Sequence, residues 1–228
     1  MSVEKKMYRT PAKLFFHERF TFLLVLMLFY MIVIPFFEGF FKIHNFIDIS
    51  FTSVLLYAVY AVSHQKKQLI IASLLCLAVI TTMQLANFVE TTFTIAAFRI
   101  FAILFESYMV ITILKFIFNT PIVTGNVISA AIVVYMFIGS LWFHIFVILE
   151  TLQPGSFSTP HDLLCENPTI FIYYSFVTLT TLGYGDITPL TTQASSLAIT
   201  EAIIGQIYMT VLIARLVGLQ IAQSSKKT

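Results

Sequence analysis

Long apolar runs separated by short polar connections occupy most of this chain. Six runs approach the about 20 residues that a membrane-spanning helix needs. We predict spanning helices at Phe20–Phe37, Ile47–Ser63, Leu69–Val89, Phe93–Phe118, Val127–Leu149 and Ala194–Leu219. A seventh run, Thr169–Leu179, has only about half that length, which is typical of a segment that enters the membrane and turns back.

The composition excludes an ordinary soluble domain. Hydrophobic residues make up 58% of the chain and charged residues 11%, whereas soluble domains carry about 25% charged residues. The two cysteines, Cys76 in an apolar run and Cys165 in a polar loop, should lie at different membrane depths, so we expect no disulfide between them. The chain is therefore predicted to be a multi-pass membrane protein.

Charged residues orient the six predicted spans. Six crossings that start inside place one group of basic residues on the cytoplasmic side: Lys5, Lys6, Arg9, Lys13, Arg19, Lys66, Lys67, Lys115, Arg215, Lys226 and Lys227. The external connections hold mainly acidic residues: Glu38, Asp48, Glu90, Glu150, Asp162, Glu166 and Asp186, with Lys42 the one base. This asymmetry predicts a cell-membrane protein with both termini in the cytoplasm.

The same pattern divides the chain into units. We expect a cytoplasmic N-terminus (1–19), a four-helix peripheral domain (20–118), a linker (119–126), a pore domain (127–219) and a short cytoplasmic tail (220–228). Pro121 and Gly125 act as helix breakers in the linker. Acidic side chains in the external loop 150–167 could concentrate cations at the membrane surface, although an ordinary solvated loop would have the same composition.

The half-length run and the residues after it form an unusual unit. Asn167 and Pro168 are typical of a helix N-cap and first helical position, so we predict a helix at Pro168–Leu179. Its C-terminal end would point into the membrane and carry about half a negative charge, which favours cations. The chain must then return outward through Thr180–Asp186, the return segment. Non-helical backbone survives at this depth only where it is buried in protein or lines water.

Alternating glycines give the return segment a specific chemistry. Gly183 and Gly185 flank Tyr184, and glycine tolerates positive φ, so successive carbonyls can turn toward one side. A row of carbonyl oxygens can replace the water shell of a monovalent cation. One strand offers too few oxygens, but four copies around an axis would complete the cages, and the Thr181 hydroxyl could add an inner ring.

The sequence TLGYGD (181–186) resembles the T-V-G-Y-G-D selectivity filter of tetrameric potassium channels, which is built from rings of backbone carbonyls, with Leu182 in place of the usual Val. The resemblance extends over FIYYSFVTLTTLGYGDITP (171–189) and the six-span plan. It implies an all-α homotetramer with a re-entrant pore helix and an ion-binding filter of Thr181, Leu182, Gly183, Tyr184 and Gly185, in which K⁺ lies at the first four of these residues. It also implies an aromatic cuff of Tyr173 and Tyr174, with Thr180 and Asp186 as further filter support.

Two residues of the last span suggest roles beyond packing. Gly205 lies near its middle, where the resemblance implies a gating hinge and where a small residue also permits close helix packing; both interpretations stay open. Glu201 is an ionisable group at membrane depth, which is functional by default. We favour a place behind the filter with a hydrogen bond to the pore helix, because four bare carboxylates facing the cavity would repel one another.

Span four lacks the charge ladder of a voltage sensor. Arg99 is followed at three-residue steps by Ala102, Phe105 and Tyr108. Moving one charge across 100 mV is worth about 2.3 kcal/mol, so four copies of Arg99 supply at most about 9 kcal/mol. We therefore expect weak or no voltage dependence. Arg99 and Glu106 are too far apart to pair along one helix, so each should pair with another span or face water.

The histidines show no metal-ligand spacing, and His144 is expected to be a packed, hydrogen-bonded residue, with pH sensing as the alternative. No nucleophile, acid–base pair or metal cluster indicates an enzyme. The leading hypothesis is a potassium channel in the lipid bilayer, with permeant K⁺, no organic cofactor and no nucleic-acid partner. The alternatives are a less selective monovalent cation channel and a non-conducting membrane sensor that retains the pore fold.

Overall fold

The structure, a computed structural model, describes residues 18–36, 43–63, 65–89, 91–158 and 169–225. These residues form helices α1 (Arg19–Phe36), α2 (Ile43–Ala61), α3 (Lys66–Phe88), α4 (Thr92–Asn119), α5 (Gly125–Leu152), α6 (Ile170–Leu179) and α7 (Thr192–Ser225), with the short strands β1 (Phe157–Ser158) and β2 (Thr188–Pro189). The described part of the chain is mostly helical, as expected of an all-α membrane protein, and the two-residue strand pair is an addition that the sequence did not predict.

Helices α3, α4, α5 and α7 are long and apolar enough to cross a membrane. Shorter apolar helical stretches lie at Arg19–Ile32 in α1, Ile49–Ala61 in α2 and Ile170–Leu179 in α6. The predicted ends of the long helices agree to within a few residues, with one larger difference. Helix α7 continues to Ser225, so much of the predicted tail extends the last helix.

Several sequence expectations concern residues outside the described ranges. They involve the N-cap residues Asn167 and Pro168, Cys165, the acidic residues Glu38, Glu90, Asp162 and Glu166, Lys42, the histidines His17, His64 and His161, and the terminal Lys5, Lys6, Arg9, Lys13, Lys226 and Lys227.

Helix α5 is the centre of the packing. Helices α1 and α4 both pack against it in the same chain, and α2 and α3 complete the ring between them. One face of α4 is buried at every fourth residue, from Phe105 and Met109 to Ile113 and Ile117, because side chains four apart share one face of a helix. The Asn126 side chain accepts a hydrogen bond from the Phe20 N–H at 3.0 Å. This bond attaches the start of α1 to the start of α5.

A tight turn after α5 leads the chain toward α6. Gly155 adopts a φ of +84° in this turn, and both carboxylate oxygens of Glu150 accept backbone N–H groups, from Gly155 at 2.7 Å and Ser156 at 3.0 Å. Glu150 thus stabilises the turn. The next residues pair antiparallel with the chain after the return segment, Phe157 opposite Pro189 and Ser158 opposite Thr188.

Candidate functional site

The return segment begins inside the C-terminal cap of α6. The Thr181 N–H donates to the Thr178 carbonyl and the Leu182 N–H to the Val177 carbonyl, both at 2.9 Å. These two bonds form the Schellman arrangement that ends many helices. Its left-handed position, usually glycine, is occupied by Thr181 with a φ of +57°. A β-branched residue is an outlier there, and the left-handed conformation costs about 1–2 kcal/mol.

The last carbonyls of α6 accept hydrogen bonds from the chain itself. Besides the Schellman bonds, the Phe176 carbonyl accepts the Thr180 N–H at 3.0 Å, and the Leu179 carbonyl accepts the Tyr135 hydroxyl of α5 at 3.2 Å. These donors lie at the C-terminal end of α6, where the sequence predicts a partial negative charge. Attraction of a cation to this end remains a prediction.

Beyond Thr181, positive φ recurs at every second residue. Gly183 has a φ of +59° and Gly185 a φ of +79°, so the expectation of left-handed glycines is confirmed. Residues 181–186 are all exposed. Among the described residues, none donates a hydrogen bond to the carbonyl oxygens of residues 181–185. This stretch is therefore exposed backbone whose carbonyl oxygens accept no hydrogen bond from the described residues.

The two adjacent tyrosines of α6 have different surroundings. The Tyr173 ring stacks on Tyr184 with centroids 6.4 Å apart, and its hydroxyl donates to Asp186 Oδ2 at 2.6 Å. That hydrogen bond lowers the pKa of the Asp186 carboxyl, because it stabilises the ionised form. Tyr174 is instead buried in an aromatic cluster with Phe146, Phe157 and Phe171. Tyr173 thus contacts the return segment, and Tyr174 anchors α6 to α5 and β1.

Glu201 lies on the α7 face that meets α6, the helix before the return segment. Its side chain is fully buried, and its Oε1 atom is 2.5 Å from the Ser175 hydroxyl of α6. The favoured expectation, a hydrogen bond to the helix before the return segment, is confirmed. The same hydroxyl is 2.7 Å from the Gly139 carbonyl of α5, so three helices meet at Ser175.

Gly205 lies at a close approach of α7 to α6. A Cβ atom at this position would lie 2.5 Å from the Leu179 carbonyl oxygen and 2.9 Å from Leu179 Cδ1. This geometry supports the close-packing interpretation. Helix α7 runs unbroken through Gly205, and a hinge role remains a prediction. The neighbouring Gln206 amide is 3.4 Å from Thr181 Oγ1, at the start of the return segment.

Arg99 and Glu106, both on α4, meet partners on α5. The Arg99 guanidinium donates to His144 Nδ1 at 3.1 Å and lies over the Phe143 ring. Glu106 accepts the Ser140 hydroxyl at 2.5 Å and lies 3.7 Å from His144 Nε2. The expectation that both charges pair with another span is confirmed, as is the packed, hydrogen-bonded His144. Arg99 thereby binds α4 to α5.

Sequence reasoning missed several residues that hold this site. Ser175, Tyr135 and Arg215 connect helices that are distant in sequence, and no spacing identifies them. Arg215 donates to the Ile117 and Phe118 carbonyls at the end of α4, at 3.2 and 2.6 Å. The only available signal was polarity, since a hydroxyl or guanidinium inside an apolar run needs a partner.

A comparison with known protein families found a match over the part of the chain that contains α6 and the return segment. Residues 162–219 match an ion channel family. The matched range contains α6, the return segment and most of α7. Comparison with curated proteins and with solved structures gave no match. Together with the long apolar helices, this similarity to an ion channel domain suggests a membrane protein that conducts ions passively.

Proposed function

We propose that this chain forms a homotetrameric, potassium-selective channel in the cell membrane. Each subunit contributes six spans with both termini in the cytoplasm, and α6 is the re-entrant pore helix. K⁺ binds at Thr181, Leu182, Gly183 and Tyr184 after losing its water shell, and Gly185 closes the outer end of this filter. Thr180, Tyr173, Tyr174, Asp186 and Glu201 support the filter.

The observation that carries this proposal is the exposed stretch 181–185, whose carbonyl oxygens accept no hydrogen bond from the described residues. Carbonyls without a donor are costly at membrane depth unless something solvates them. The positive φ values at Thr181, Gly183 and Gly185 reverse the backbone at alternate residues, which brings successive carbonyls toward one side. Four such strands around an axis supply the oxygen rings that a dehydrated K⁺ requires.

Helix α7 supports assembly of several copies. Only 6% of its most apolar window is buried in the single chain, compared with 61% for the corresponding window of α5. Its exposed apolar residues include Ile199, Ile203, Ile207, Val211 and Val217, which need lipid or another subunit around them. A fourfold arrangement buries part of this surface between subunits and directs the remainder to the pore cavity.

Voltage dependence should be weak or absent. Arg99 is fixed to His144 of α5 and stacked on aromatic rings, so its movement across the membrane would first require breaking these contacts. The fixed position of Arg99 and the small charge of span four are therefore two independent reasons to expect weak voltage dependence.

Reversal potentials of the purified protein in planar bilayers, measured in mixed K⁺ and Na⁺, test the proposal. We expect the reversal potential to follow the K⁺ gradient, and Gly183→Ala to abolish this selectivity because alanine strains a positive φ. Gly155→Ala is the matched control, since Gly155 also has positive φ and an added Cβ there would meet no atom within 4 Å. It should leave selectivity unchanged.

The alternatives give different results in the same measurement. A reversal potential that ignores the K⁺ to Na⁺ ratio would indicate a less selective cation channel. Absence of any current or flux from folded, tetrameric protein would indicate a non-conducting subunit. Equal loss of selectivity in Gly155→Ala and Gly183→Ala would contradict the assignment of the filter to the return segment.

A further inference from the structure

The hydroxyl of Ser175 lies between two oxygen atoms that ordinarily only accept hydrogen bonds. It is 2.5 Å from Glu201 Oε1 and 2.7 Å from the Gly139 carbonyl oxygen. Both distances fall within the usual range for an O–H···O hydrogen bond. Ser175 itself is fully buried. Each contact therefore requires a proton between its two oxygens.

A serine hydroxyl has one proton to donate and two lone pairs to accept. If Glu201 were ionised, the Ser175 hydroxyl could donate its proton either to Glu201 Oε1 or to the Gly139 carbonyl oxygen. The oxygen left without that proton would then lie in close contact with Ser175 Oγ with no hydrogen atom between them. The Gly139 carbonyl carries no proton under any condition. The second proton must therefore come from the carboxyl group of Glu201.

The remaining surroundings of Glu201 agree with a neutral group. Its second oxygen, Oε2, is buried and has no hydrogen-bond partner among the described residues. An ionised carboxylate buried with an unpaired oxygen is far more costly than a neutral acid. The titratable groups that interact with Glu201 from α5 and α6 are the phenols of Tyr135 and Tyr174. In the described part of the chain, the one acid–base contact lies elsewhere, between Glu106 and the His144 imidazole at 3.7 Å.

We propose that Glu201 is a protonated carboxylic acid at neutral pH and donates its proton to Ser175, which in turn donates to the Gly139 carbonyl. This relay joins α7, α6 and α5 behind the return segment. Glu201 is then a positioning residue that acts through Ser175, and its fourfold repetition brings no repulsion, because the four groups are neutral. The protonation state stands on the geometry alone, whereas its importance for ion selectivity rests on the proposed function.

Infrared spectroscopy of the purified protein in lipid tests the protonation state without requiring any current. At neutral pH, the wild-type spectrum should contain a protonated-carboxyl C=O band that is lost in Glu201→Gln. Ser175→Ala should shift that band to higher frequency, since the acid loses its acceptor. A wild-type spectrum identical to that of Glu201→Gln in this region would overturn the proposal, as would a band that Ser175→Ala leaves in place.

Conduction measurements then test the positioning role. Glutamine keeps an N–H donor for Ser175, so Glu201→Gln should retain wild-type K⁺ selectivity at neutral pH, while Glu201→Leu should lose it. Raising the pH until Glu201 ionises should reduce wild-type current and leave Glu201→Gln current unchanged. Loss of selectivity in Glu201→Gln with an intact tetramer would refute the positioning role. If the wild type conducts no K⁺ but shows the band, the proposed function fails and the relay stands.

Discussion

Substituting Gly205 by alanine tests the packing that supports the return segment. The new Cβ would lie 2.5 Å from the Leu179 carbonyl oxygen, whereas carbon–oxygen contacts normally begin at about 3.3 Å. The two helices must therefore separate locally by about 0.8 Å, the difference between these two distances. The carbonyl cannot easily move away, because it accepts the Tyr135 hydroxyl and lies within the Schellman cap.

The size of the effect follows from two opposing contributions. Overpacking of this kind costs about 1–3 kcal/mol, while alanine gains about 0.5–1 kcal/mol over glycine inside a helix. Gly218→Ala isolates the second contribution, because Gly218 lies in the same helix and an added Cβ there meets nothing within 4 Å. Gly205→Ala should therefore be less stable than Gly218→Ala by about 1–3 kcal/mol.

The assay compares thermal unfolding of both variants and the wild type in the same detergent, with reversal potentials measured in parallel. We expect a lower Tm and weakened K⁺ selectivity for Gly205→Ala alone. Equal stability of the two alanine variants would refute the contact argument. A changed open probability with unchanged Tm and selectivity would instead favour the hinge.

Three further outcomes follow from individual contacts. Tyr173→Phe removes the donor that lowers the pKa of Asp186, so the pKa should rise. Ionised Asp186 stabilises the folded site above the ordinary Asp pKa, and this stabilisation is lost as the pH falls through the pKa of Asp186 in the folded protein. Because that pKa is higher in the variant, external acid should reduce its current at a higher pH than in the wild type. Arg215→Gln removes charged hydrogen bonds to the end of α4, worth about 1.5–3 kcal/mol each, and should lower Tm. Substitution of the exposed Lys115 by glutamine should leave Tm unchanged. Equal Tm values for these two variants would count against a stabilising contact between Arg215 and α4. Voltage steps should yield a shallow activation curve, and Arg99→Gln should lower Tm without changing that slope. A curve as steep as those of charge-rich channels would contradict the small charge assigned to span four.

The lengths of the apolar runs and the positions of glycine made much of this fold predictable. The apolar run lengths of α3, α4, α5 and α7 identify helices, because their boundaries coincide with polar or helix-breaking residues. The half-length run before TLGYGD indicated α6, and the alternation of glycine indicated positive φ at Gly183 and Gly185. These features are local, so a short stretch of sequence contains the information that determines them.

Contacts between distant elements were not predictable from local pattern. The neighbouring tyrosines 173 and 174 look equivalent in sequence, but a helix directs them about 100° apart, toward the return segment and the aromatic cluster respectively. Glu201 suggested a partner on α6 without identifying Ser175, since any of several side chains could have faced it. Thr181 in the left-handed position contradicts its own backbone preference and is explained by the cap in which it lies.

The β1–β2 pairing has a consequence for biogenesis. Pairing of Phe157 with Pro189 closes a loop that contains α6 and the return segment, and it does so within one polypeptide. The Schellman cap, the Tyr173–Asp186 bond and the Ser175–Glu201 contact are also intrachain. A newly inserted chain thus has the means to form this framework before it meets another copy. In the proposed tetramer, association would bring together strands that are already shaped, so the maturation of each subunit would not have to wait for its neighbours.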